Sequence, residues 1–375
     1  MAGLLVAGLL VLGLLLLVAA RAQPGAARAP EWGLVGPYDH VDLPELHRKG
    51  VDVLLVEMSW ALAEPARDRF DDAYLASIDA QARRLRAEGF KVVLNFGLQH
   101  APGWLLTLPD ARFTDQDGQQ YLDDDVADLV FARPLRPLAE AYTREVFARL
   151  GTDFYAVRVG GGPDGELTYP GPAPSPDGGP GHYWAFTRAA AASNPVPDWR
   201  PCSDQGPEQT RRFLEWYMNS LVDFQNWQVD TLRRYYPGVI AVLYPSWGLN
   251  PGDVAAAAND DACGHTEAER SDDLQRGIDH ARQVAALPRG KVAVWSTWAE
   301  NTSALRALAE LARPRHLQVF GENSGHDNVA DLRATVTAAR QFGLSALLWV
   351  RAPEALCGCS GYATMDEYLT SLSHG

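Results

Sequence analysis

The chain has 375 residues, enough for one large domain or two small ones, and its apolar and charged fractions are those of a globular protein. A formal net charge of −14 excludes nucleic acid as the natural partner, because phosphate binding needs clustered Lys and Arg. Eleven tryptophans are many for this length, and their flat faces suit sugar rings as well as a core.

In chain order, residues 3–20 form an unbroken apolar run, and Ala20-Arg21-Ala22 has the small-x-small pattern of a cleavage site. No Lys or Arg precedes the run, so residues 1–22 read either as a signal peptide or as a retained membrane anchor. Both place residues 23–375 outside the cytoplasm, secreted or membrane-attached. Beyond that segment, short apolar runs predict strands at 33–36, 51–57, 91–96, 154–159, 239–243, 291–295, 317–320 and 345–350. Amphipathic patterns predict helices at 72–88, 138–150, 208–235, 272–286, 303–312, 330–341 and 365–372, with a short one near 44–49. Eight strand–helix units specify a single (β/α)8 TIM barrel. Helix-to-strand connections are short, whereas the strand-to-helix segments 97–133, 171–208 and 244–271 are long and rich in Gly, Pro and Trp. Long loops gathered at the C-terminal face of the strands mark the end where barrel enzymes work.

Two of the strand ends deliver a glutamate. Glu166 follows strand 4 in Gly160-Gly161-Gly162-Pro163-Asp164-Gly165-Glu166-Leu167-Thr168-Tyr169-Pro170, and Glu322 follows strand 7 in Gly321-Glu322-Asn323. Strands 4 and 7 lie across the barrel mouth from each other, so the two side chains can converge on one glycosidic bond. Hydrolysis of that bond needs one protonated carboxyl for the leaving oxygen and one ionised carboxylate. Around them, Glu57, Asn95, Gln99 and His100 stand at strand ends where they can meet sugar hydroxyls; a structural ion pair is the other reading of Glu57. Trp60, Trp104, Trp247, Trp295, Trp298 and Trp349 also fall at or past strand ends, two or three of them as sugar platforms and the rest as packing. Tyr169 and Asn323 complete the candidate substrate-binding set. No phosphate loop, dinucleotide fingerprint or metal helix motif occurs, so neither cofactor nor metal is expected. Asp115-Gln116-Asp117-Gly118 reads as a glycine turn and not as a calcium loop. Of the three ways to pair Cys202, Cys263, Cys357 and Cys359, bridging Cys357 and Cys359 across to Cys202 and Cys263 avoids a very tight ring. Oligomeric state is not legible.

The glutamate segments carry a resemblance. Residues 162–170 resemble the acid loop of the β-amylases, glycoside hydrolase family 14, and Gly321-Glu322-Asn323 resembles that family's base segment. Glu57-Met58-Ser59-Trp60-Ala61-Leu62-Ala63-Glu64-Pro65 and Ala101-Pro102-Gly103-Trp104-Leu105 are more similar to family 42 β-galactosidases. The resemblance implies a cofactor-independent hydrolase of oligo- or polysaccharides, with Glu166 as general acid and Glu322 as base or nucleophile. The β-amylase likeness implies inversion at the anomeric carbon, and the β-galactosidase likeness implies retention. The sequence departs from both families: Gly165 stands where β-galactosidase-type enzymes carry Asn, Thr168 where β-amylases carry Arg, and Ser324-Gly325 where they carry Ala-Leu. The reading from another class is a catalytically silent barrel that binds polysaccharide.

Overall fold

The computed structural model describes residues 29–38, 41–171, 181–245, 247–324, 328–350 and 356–373; the expected signal or anchor segment, residues 1–22, lies outside them. Eight parallel strands close into a barrel in sequence order. They are β1 (Glu31–Val35), β2 (Val51–Glu57), β3 (Lys91–Asn95), β4 (Ala156–Val159), β5 (Val239–Tyr244), β6 (Val292–Ser296), β7 (Gln318–Glu322) and β8 (Ala346–Trp349). One principal helix follows each: α1 (Leu43–Arg48), α2 (Asp72–Ala87), α3 (Arg136–Leu150), α4 (Pro207–Arg233), α5 (His280–Ala286), α6 (Thr302–Ala312), α7 (Val329–Phe342) and α8 (Met365–Ser373). The expected (β/α)8 barrel is the observed fold.

A strand's side chains alternate between faces, and here the two faces build two cores. Val53, Leu55, Val93, Ala156, Leu243, Trp295, Phe320 and Leu348 fill the barrel interior. The intervening residues, among them Leu54, Val56, Leu94, Val157, Val242 and Leu347, pack outward against the helices. Near the C-terminal ends of the strands the inward positions turn polar. Glu57 pairs in register with Asn95, and Asn95 with Arg158, so three polar groups stand side by side above the apolar layers.

Two expectations need correction. The helix foreseen over 272–286 forms only at His280–Ala286. Asp272 and Gly277 take positive φ values of 64° and 72°, which break the helical path. Gly277 also lies against the Tyr169 ring, where a Cβ would come within 2.8 Å. That bend brings Arg276 to the barrel mouth. The disulfides are Cys202–Cys263 and Cys357–Cys359, not the crossed pairing. Cys202 and Cys263 sit on the connections after β4 and β5, brought together where Cys202 N–H donates to the Asp261 carbonyl (2.9 Å). Cys357 and Cys359 flank Gly358, whose φ of 67° turns the chain enough to leave their Cα atoms 5.2 Å apart, an ordinary bridging distance.

Candidate active site

The loop after β4 is held by its own backbone. Gly162 N–H donates to Glu166 O (2.8 Å) and Gly165 N–H to Gly162 O (3.0 Å). A Cβ at Gly162 would lie 2.3 Å from the Thr168 carbonyl, so only glycine fits. Leu167 N–H donates to Leu243 O (2.8 Å) and Tyr169 N–H to Arg276 O (2.9 Å), which fastens the loop to the elements after it. The Glu166 side chain that emerges is 7% exposed. Its Oε1 accepts from the Thr297 hydroxyl (2.7 Å), and its Oε2 from Arg276 Nη2 (3.0 Å). Burial raises its pKa; Arg276 and Thr297 oppose the rise by favouring the charged form.

Glu322 is the last residue of β7 and points inward, also 7% exposed. Arg158 from β4 binds its Oε2 through Nη1. The guanidinium lies 5.2 Å above the centre of the Trp295 ring and donates from Nε toward Asn95 Oδ1 (3.4 Å). Burial pushes the Glu322 carboxyl up to about 6; Arg158 opposes the shift, while the charges of Glu57 and Glu166 add to it. Both glutamates therefore reach the same mouth, each with its own cation.

A cavity of about 440 Å³ opens beside them, lined by Glu57, Asn95, Gln99, His100, Arg158 and the acidic stretch Asp123–Asp125, among others. The expected polar residues Glu57, Asn95 and His100 thus share one cleft, and Glu57 makes no ion pair among the described residues. Gln99 stands over Gly165: a Cβ there would meet its Nε2 at 3.2 Å. An amide side chain occupies the space that an asparagine at position 165 would fill. Asn323 is buried, and its Oδ1 accepts from Val350 N–H (2.7 Å), so it braces the turn after β7 against β8.

The tryptophans divide. Trp60 is fully buried, stacks on Tyr142 at 5.0 Å and donates to Glu64 (2.8 Å). Trp104 donates to the Glu64 carbonyl (2.9 Å) and packs edge-on against Trp60. Trp349 faces outward onto Tyr368, and Trp295 is buried inside the barrel under Arg158. Tyr169 is buried in a stack with Tyr217 (4.0 Å) and gives its hydroxyl to the Tyr217 carbonyl (2.9 Å). Trp60, Trp295, Trp349 and Tyr169 are buried with no face open to a sugar, so these three tryptophans belong with those expected to pack, and the substrate-binding role expected of Tyr169 is not met. Of the expected tryptophans, Trp298 is exposed while Trp247 and Trp104 are half-buried, Trp247 packing edge-on against Trp298. Asp115 is a buried turn residue that accepts from Asp117 and Gln119 N–H and pairs with His182 Nδ1 (2.6 Å). Sequence reading missed Arg158, Arg276 and Thr297, the three residues that hold the glutamates.

The sequence pattern of the β-galactosidase family, glycoside hydrolase family 42, matches residues 40–157. The match ends before either glutamate. Among solved structures, the β-amylase catalytic domain of Paenibacillus polymyxa superposes with a TM-score of 0.68 at 16% identity, over 92% of this chain and 98% of that one. A β-galactosidase from the Antarctic haloarchaeon Halorubrum lacusprofundi gives 0.61 at 14% identity, over 92% of this chain but only 57% of the other. Endo-glycoceramidase II from a Rhodococcus species gives 0.50 at 15%, over 92% and 78%. No curated protein sequence matches significantly. At these identities the likeness is one of fold. The double resemblance read from the sequence is borne out, and the family match and barrel together support an O-glycosyl hydrolase.

Proposed function

We propose that the protein hydrolyses O-glycosidic bonds of an oligo- or polysaccharide, with Glu166 as proton donor and Glu322 as the ionised partner. One observation carries this reading: two buried carboxylates, from the β4 loop and the end of β7, stand within electrostatic reach of each other at the C-terminal end of the barrel, each held by a separate cation, and the cation of one lines the open cavity. Burial keeps a proton on Glu166 to higher pH, as a donor to the leaving oxygen requires. Arg158 favours the ionised form of Glu322, so with a pKa of about 6 it is charged at neutral pH. As the bond to the anomeric carbon breaks, Glu166 gives its proton to the departing oxygen. Glu322 then either bonds to that carbon, with water completing a second displacement, or takes a proton from the water that attacks it.

The β-amylase-like architecture favours the second course, inversion; the family 42 match favours the first, retention. NMR of the first-formed anomer distinguishes them. Export of the chain is part of the proposal, supported by the apolar N-terminal run and by two disulfides, which persist in oxidising compartments. No helix among the described residues is long and apolar enough to cross a membrane.

The test is turnover of a panel of aryl glycosides and oligosaccharides by Glu166→Gln and Glu322→Gln. Each variant should fold and lose about three or more orders of magnitude in turnover. Near-normal turnover in both would sink the assignment. Sugar binding without hydrolysis by the unaltered protein would favour the silent barrel.

A further inference from the structure

Trp298 stands between the residues that touch the two glutamates. On one side, Thr297 gives its hydroxyl to Glu166 Oε1 (2.7 Å); on the other, Ala299 N–H donates to the Glu322 carbonyl (2.8 Å). Trp298 itself takes a left-handed backbone conformation, φ 49°, which bulky side chains rarely adopt and which persists only where the surroundings impose it. The reward for that strain is not burial, since the side chain is 46% exposed. Trp247, on the connection after β5, backs it edge-to-face with ring centroids 4.5 Å apart. The β5 and β6 connections therefore hold an open indole face in water.

Its place relative to the chemistry gives it a role. The polar cavity draws its lining from the end of β2 and from β3, β4 and the connections after them, and it includes Arg158, the partner of Glu322. The tryptophan pair lies on the other arc of the mouth, and its loop holds Glu166. A proton donor acts on the leaving oxygen, so the group that departs lies on the donor's side of the broken bond. Resting on the hydrolase reading, we propose that Trp298, backed by Trp247, is the leaving-group subsite, a platform for the C–H face of an uncharged sugar ring. The glycosyl unit that is transferred occupies the polar cavity. The substrate class is thus a saccharide whose leaving group is itself a sugar.

Trp298→Ala tests this with substrate pairs that differ only in the leaving group: lactose against β-galactosyl fluoride, and maltopentaose against α-maltosyl fluoride. Fluoride has no ring to stack. In whichever pair is cleaved, kcat/KM for the oligosaccharide should fall roughly tenfold or more, while the fluoride should change less than about twofold. Trp298→Phe should recover most of the loss, and intact fluoride turnover reports a folded site. Equal losses on both members would overturn the proposal, because the damage would then run through Thr297 and Glu166. So would no loss on either. If the unaltered protein cleaves none of the four, the hydrolase reading fails on these sugars, and calorimetric titration of maltopentaose and lactose decides the platform separately. Roughly tenfold weaker binding by Trp298→Ala sustains it; equal binding, or none by either protein, overturns it.

Discussion

Glu322 and Glu166 are equally buried but held in different ways. Glu322 is part of a strand, and its cation is part of another strand, so barrel closure alone sets their approach. Glu166 rides on a loop, and its partners come from two further loops, one supplying Arg276 and the other Thr297. Strand-borne groups have few ways to adjust, so Glu322 is governed chiefly by charge. Loop-borne groups depend on several segments arriving together, so Glu166 is governed chiefly by placement. The contrast explains why both can be raised by burial and still suit the different steps proposed for them.

The sharpest test of the contrast is Arg158→Met. It leaves a buried carboxylate without its cation, an effect of about 3–5 kcal/mol when such pairs are broken. Glu322 should then titrate well above 6, moving the acidic limb of the pH–rate profile upward and lowering turnover at pH 6 by about 100-fold. An unmoved acidic limb would show that Arg158 does not set the charge of Glu322.

Stability should report the same carboxyl. The folded pKa of Glu322, about 6, lies above its ordinary value of 4.5, so the folded state holds the proton longer than the unfolded chain. Its contribution therefore falls as pH rises through the window from 4.5 to about 6, by about 2 kcal/mol in total. Urea unfolding of the unaltered protein and Glu322→Gln at pH 4 and pH 7 should show a difference in stability that shifts by that amount, the variant gaining at pH 7. A constant difference would contradict the assigned environment.

The smallest effect is expected at Thr297→Val. Losing one hydrogen bond to the charged form should raise the Glu166 pKa further, move the alkaline limb of the profile upward by less than about one unit, and slow turnover a few-fold. If Thr297→Val matched Arg158→Met, placement and charge would not be separable in this site.

The barrel was legible because strands such as Val51–Glu57 are largely apolar runs of the right length, preceded here by Gly50 and followed by amphipathic stretches. The glutamates were legible because each closes such a run. Arg158 carried a signal that went unused: a charge at an inward position of Ala-Val-Arg-Val must find a counter-charge inside the barrel. Arg276 and Thr297 carried none, since nothing local ties them to Glu166 across more than 100 residues. Strand-end position also failed to sort the tryptophans. Trp295 and Trp349 lie at or next to the ends of strands whose alternation points one into the barrel and the other toward α8, and neither reaches solvent.

Thr297, Trp298 and Ala299 are consecutive, and together they touch one glutamate, offer the open indole and brace the other glutamate. The stretch Asp123–Asp125 lines the cavity from an exposed segment after β3 that is not among the groups holding either carboxylate. The two connections therefore differ in evolvability. In libraries randomised separately at 123–125 and at 297–299, active survivors should be diverse in the first and narrower in the second. New sugar preferences would then arise by rewriting the β3 arm, while the β6 arm changes less from parent to descendant.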